Sequence, residues 1–134
     1  MAKRSPKGVL CLLSALRFHG LTTQQPHEVW LALGEKDWRP KLGWPAIKVV
    51  HMSGRALSSG IERHRIEGAP VRVFDPAKTV ADCFKYRNKI GLDVAIEALR
   101  DYLAQHRGGA DELWKHARVC RVEKILRPYL EGML

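Results

Sequence analysis

The sequence predicts an α+β fold: one N-terminal helix, a small, mostly antiparallel sheet of about four strands, and a C-terminal group of about four helices. Three observations carry that expectation. Short extended runs cluster between residues 28 and 74 instead of alternating with helices. From Asp75-Pro76 onward, apolar residues recur at helical spacing. One amphipathic stretch precedes the first extended run. With 134 residues, of which 46% are hydrophobic, the chain is long enough to bury a core without a disulfide or metal staple. No internal repeat, low-complexity segment or linker divides it, so residues 1–134 read as one domain.

Ser5-Pro6 opens the first helix, about residues 7–19; Val9, Leu12, Leu13 and Leu16 share a face, and Gly20 is a natural stop. Residues 28–33 read as a strand. Residues 34–45, which hold Trp38, Arg39, Pro40, Lys41, Gly43 and Trp44, read as a basic, tryptophan-rich loop, and residues 47–52 as a second strand. Residues 61–67 and 71–74 flank Gly68-Ala69-Pro70, the clearest hairpin signal in the chain. Arg63, Arg65 and Arg72 alternate with apolar residues there, which makes one face of the ribbon cationic.

Asp75-Pro76 is the strongest helix start, because Asp caps well and Pro is preorganised for the first helical position. Ala77, Val80, Ala81 and Phe84 form its apolar stripe. Lys78, Asp82, Lys85 and Lys89 fall on a common helical face, expected to be exposed. Gly91 ends this helix, and Leu92, Ile96, Leu99 and Leu103 mark the next. Gly108-Gly109 breaks the chain again. A short helix runs from Asp111-Glu112 to about Arg118, and a last one carries Val122, Ile125, Leu126 and Tyr129, bent or shortened by Pro128.

The net charge of +9 is unevenly placed. Residues 39–90 hold eleven basic and four acidic side chains, whereas residues 91–134 hold seven of each. A concentrated positive segment suits a surface that meets a polyanion; it equally suits a solvated face that keeps the protein dispersed. Cys11, Cys83 and Cys120 have no paired spacing and sit among apolar neighbours, as free thiols in a reducing compartment do. Lys3, Arg4 and Lys7 before a short apolar run imitate a signal peptide, but Arg17-Phe18-His19 stands where a small-residue cleavage site belongs. No stretch approaches the ~18 apolar residues of a membrane helix. The expected location is cytoplasmic, with no membrane partner.

The pattern excludes the common catalytic signatures. Gly108-Gly109 lacks the Lys-Ser/Thr of a phosphate loop. His116 and Cys120, four apart on a helix, offer two metal ligands, too few for a site. Asp75 is accounted for as a cap and Asp82 as the partner of Lys78 or Lys85, so they form no carboxylate pair for nucleic-acid cleavage. Ser14 lacks the sharp glycine turn that exposes a nucleophile. Neither enzyme activity, metal nor cofactor is expected. Trp30 and Trp114 fall at core positions; Trp38 and Trp44 either contact a partner or cover the edge of the core. The expected nucleic-acid-binding residues are Arg39, Lys41, Arg63, Arg65, Arg72, Lys78, Lys85, Arg87 and Lys89.

Several stretches resemble the C-terminal domain of AbiEi-family antitoxins. Pro6-Lys7-Gly8-Val9-Leu10-Cys11-Leu12-Leu13-Ser14-Ala15-Leu16, Phe18-His19-Gly20-Leu21-Thr22 and Pro26-His27-Glu28-Val29-Trp30 resemble its opening. Val71-Arg72-Val73-Phe74-Asp75-Pro76-Ala77-Lys78-Thr79-Val80-Ala81-Asp82-Cys83-Phe84-Lys85-Tyr86-Arg87 is the most specific match. Gly91-Leu92-Asp93-Val94-Ala95, Glu97-Ala98-Leu99 and Arg127-Pro128-Tyr129-Leu130-Glu131 continue it. The resemblance implies an antitoxin of a type IV, abortive-infection system, paired with a nucleotidyltransferase-like toxin, with auxiliary DNA binding and autoregulation through a positive face. The expected partners are therefore that toxin and DNA. The alternative is a nucleic-acid-binding accessory protein without antitoxin action. Family members usually carry an N-terminal winged helix-turn-helix, which residues 1–7 cannot form, so the chain is expected to correspond to the C-terminal domain only.

Overall fold

The computed structural model describes residues 8–34 and 46–134. Its class is α+β, with five strands and seven helices among the described residues. The strands are β1 (Val9–Leu10), β2 (Val29–Leu33), β3 (Ile47–His51), β4 (Ile61–Ile66) and β5 (Ala69–Phe74). The helices are α1 (Leu12–His19), α2 (Gly54–Ser58), α3 (Pro76–Lys85), α4 (Arg87–Ile90), α5 (Leu92–Gln105), α6 (Ala110–Val119) and α7 (Glu123–Met133).

The sheet order is β3-β2-β1-β5-β4. It is mixed, not mostly antiparallel. β1 runs antiparallel to β2 (Val9 opposite Ala32) and β4 antiparallel to β5, while β1–β5 (Leu10 opposite Val73) and β2–β3 are parallel. The first helix is correspondingly shorter than residues 7–19, because Val9 and Leu10 form the middle strand. A two-residue apolar strand, Val9 buried and Leu10 half-buried, has no alternation to distinguish it from the start of an apolar helix. The Cys11 backbone is extended and donates to the Trp30 carbonyl at 3.1 Å, and α1 begins at the next residue. Gly20, at φ +71°, closes α1 in the left-handed conformation.

The β4–β5 hairpin forms with a different turn. Glu67 and Gly68 both have positive φ, at 51° and 82°, the conformation of a two-residue type I′ loop. Pro70 consequently lies inside β5 opposite Arg65. Among the described residues β1 is registered with β5 at Val73, three positions beyond Pro70.

Val9, Trp30, Ala32, Val50 and Phe74 join the helices in the main core, while Leu31, Leu33 and Ile47 form a small second cluster with Leu10 and Val49. The centre of the helical layer is α3, in which every position from Ala77 to Phe84 is buried. The exposed Lys78–Asp82–Lys85–Lys89 stripe is therefore corrected: Lys78 and Asp82 are interior, and Lys89 belongs to α4. An i,i+4 charged pair reads the same on a solvated face as inside a core, and only packing decides which it is. Asp75 caps α3 as expected, Oδ1 accepting the Lys78 N–H at 2.7 Å with Pro76 in the first turn. Pro128 lies within α7, which continues past it to Met133. Trp30 is buried in the core, and Trp114 packs beneath Arg127 with its ring 5.1 Å from the guanidinium carbon. Among the described residues no helix is long and apolar enough to cross a membrane.

Candidate functional site

Burial divides the expected basic residues. Lys78 is fully buried, its Nζ 2.6 Å from Asp82 Oδ2 and 3.7 Å above the Phe74 ring. Cys120 Sγ donates to the other Asp82 oxygen at 3.3 Å. Lys78 is thus a structural cation with no surface to offer phosphate, a correction to its expected role. Burial is the main cause that raises the Asp82 carboxyl above its ordinary value, with the Lys78 charge opposing it. Burial also pushes up the Cys11 and Cys83 thiols, and Cys120 to about 12, so all three stay protonated at neutral pH. Ser14 Oγ is engaged in accepting the Trp30 N–H at 2.8 Å.

Arg63 and Arg72 are cross-strand partners, which sets Arg63, Arg65 and Arg72 on one face of the hairpin. Arg63 and Arg65 are exposed, and Arg65 Nη1 also donates to the Gly68 carbonyl at 3.1 Å. On the opposite face His64 pairs with Glu62 at 2.8 Å and rests against Phe18. Arg87 is half-buried and donates to the Phe84 carbonyl at the end of α3; Lys89 is exposed. Arg39 and Lys41, with Trp38 and Trp44, lie outside the described residues.

Lys85 leads to a concentration of positive charge. It lines a cavity of about 600 Å³ between the start of α2, the end of α3 and the α6–α7 junction. Arg55, Arg118 and Arg121 line the same cavity, and among the described residues its wall includes no acidic side chain. All four cations are exposed. Of these four only Lys85 is expected from the sequence. Arg55 stands outside the hairpin and helix patterns, and Arg118 and Arg121 belong to the C-terminal segment of zero net charge; only the packing of α6 on α3 brings that pair to Lys85. Arg121, at φ +59°, occupies the left-handed turn that reverses the chain into α7.

A second cavity, about 290 Å³, adjoins the first and shares Arg55 and Val119 with it. Asp75, Glu112 and His116 converge there. His116 Nε2 lies 3.5 Å from Asp75 Oδ2 and 3.5 Å from Glu112 Oε1, and one ligand atom from each residue falls within 4.8 Å of the others. The His116 side chain is only 5% exposed, yet among the described residues neither ring nitrogen makes a hydrogen bond. Burial alone would raise the Asp75 carboxyl, but His116, the Lys78 N–H and the Lys78 charge outweigh it and hold the group below its ordinary value. His116 and Cys120, adjacent in the helical pattern, serve different groups: Cys120 reaches Asp82, whereas His116 faces the second cavity.

Comparison with protein-family models finds no match to this chain, and no curated protein matches it.

Proposed function

We propose that the chain is an antitoxin-type domain of a type IV, abortive-infection system, countering a nucleotidyltransferase-like toxin in the cytoplasm, with auxiliary DNA binding through a basic surface. The cavity lined by Arg55, Lys85, Arg118 and Arg121 is the observation that carries the binding half of this reading. Four cations from three separate parts of the chain converge with no carboxylate among the described lining residues, an arrangement suited to a run of phosphates. The antitoxin half rests on the resemblance of residues 71–87, which build β5, the Asp75 cap and the buried α3 at the centre of the fold.

The same cavity favours a second reading, a nucleic-acid-binding accessory protein without antitoxin action, because cations that neutralise phosphates carry no base information. Co-expression with the toxin separates the two. The antitoxin reading expects relief of growth arrest, and persistent arrest removes it. Arg118→Glu with Arg121→Glu sharpens the comparison: relief that survives loss of DNA binding sets the accessory reading aside.

A further inference from the structure

We propose that Asp75, Glu112 and His116 form a site for a divalent transition-metal ion, zinc being the best match, with a fourth position open to the adjoining cavity. The inference is independent of the antitoxin reading. Its starting point is His116. Among the described residues neither nitrogen of this buried imidazole has a hydrogen-bond partner, a costly state that native proteins almost always relieve. Nε2 instead lies 3.5 Å from each of two carboxylate oxygens. Zinc bonds of about 2.0–2.2 Å in tetrahedral geometry place ligand atoms about 3.3–3.6 Å apart. The His116 nitrogen thus already stands at metal-ligand spacing from both oxygens, and at too long a reach for a good hydrogen bond to either.

The donors are held by the fold. Glu112 and His116 are one turn apart on α6 and so project from the same face. Asp75 is fixed by its cap: Oδ1 takes the Lys78 N–H, which aims Oδ2 at His116. This is the outer hydrogen bond that orients a ligating carboxylate. Gly60 closes the inner side. Its carbonyl accepts the Asp75 N–H at 2.7 Å, and a Cβ there would lie 3.0 Å from His116 Cε1 and 3.1 Å from Asp75 Oδ2. The outer side opens into the cavity that Arg55, Ser59 and Lys115 also line. One imidazole and two carboxylates balance the charge of a divalent ion and match a three-ligand zinc site with an exchangeable position.

The test uses the full chain after treatment with chelator and dialysis. Titration with Co²⁺ is followed by visible absorption and titration with Zn²⁺ by calorimetry. The expected result is one equivalent of either ion, a tetrahedral Co²⁺ spectrum and no thiolate charge-transfer band. Glu112→Gln and His116→Gln each lower affinity by at least about tenfold, while Cys120→Ser leaves it unchanged. Glu112 is exposed, so Glu112→Gln keeps the test valid should His116→Gln fold poorly. Absence of uptake with both ions in molar excess overturns the proposal, as does uptake that Glu112→Gln and His116→Gln leave intact. In either case His116 is simply a buried imidazole packed between two carboxylates.

Discussion

Lys78 Nζ and Asp82 Oδ2 are 2.6 Å apart in the middle of α3, with side chains 0% and 1% exposed. The pair is completed on one side by the Phe74 ring under the ammonium and on the other by the Cys120 thiol on the carboxylate. A buried ion pair of this kind adds little net stability over an apolar pair of the same size, but loss of one partner strands a charge in the core. Lys78→Met and Asp82→Leu are each expected to destabilise the fold by about 3–5 kcal/mol. The double variant should recover a substantial part of that loss. Urea denaturation of the four proteins gives the coupling directly, and additive single losses would show that the two side chains are not acting as a pair.

Asp75 has two separable roles. Asp75→Ala removes the α3 cap and should cost about 1 kcal/mol, whereas Asp75→Asn keeps a capping oxygen and loses only the charge. The Asp75 carboxyl is held below its ordinary value of 3.8, so its charge stabilises the folded state above that pH. That contribution disappears as pH falls through the lower folded-state value. In metal-free buffer the wild type should therefore exceed Asp75→Asn in stability near neutrality. The two should converge in acid, as thermal melts between pH 7 and pH 2 would reveal.

Binding of duplex DNA should depend on the cavity cations and not on Lys78. Each phosphate contact contributes about 0.9 to the slope of log affinity against log salt concentration, so Arg118→Ala with Arg121→Ala should flatten that slope by about 1.8. Arg63→Ala with Arg65→Ala tests the hairpin in the same way. Fluorescence anisotropy at several salt concentrations distinguishes the surfaces, and a slope untouched by the first pair would exclude the cavity as a phosphate-binding surface.

Local signals were legible where chemistry and geometry coincide within a few residues. Asp75-Pro76 set the α3 start, Gly20 set the end of α1, and alternating Arg63, Arg65 and Arg72 set one face of a ribbon; Gly91, expected to end α3, instead ends α4, because α3 stops at Lys85. Long-range relations were not. A two-residue strand such as Val9–Leu10 has too few side chains to show a period, yet it joins the two halves of the sheet and makes two of its pairings. Lys78 looked like a surface residue because spacing alone does not reveal that sheet and helices surround α3. Arg55 lies far along the chain from Arg118, as Asp75 does from His116, and no local pattern connects either pair. Both cavities exist only once α6 has packed against α3.

Gly60 is where the second cavity constrains the backbone. Its φ of +76° already disfavours any side chain, and an added Cβ would come within 2.8 Å of Lys78 Cβ as well as 3.0 Å of His116 Cε1. Gly20 has a similar φ of +71°, but a Cβ there would meet nothing within 4 Å. Gly20→Ala should therefore carry only the backbone strain of a left-handed alanine, about 1 kcal/mol. Gly60→Ala adds overlap with two buried side chains that are themselves held by Asp82 and by the packing of α6, so neither can retreat without further loss. It should cost at least about 1–3 kcal/mol more than Gly20→Ala. Equal losses for the two variants in chemical denaturation would mean that the wall around Gly60 yields, and that Asp75 and His116 are less firmly placed than their separation indicates.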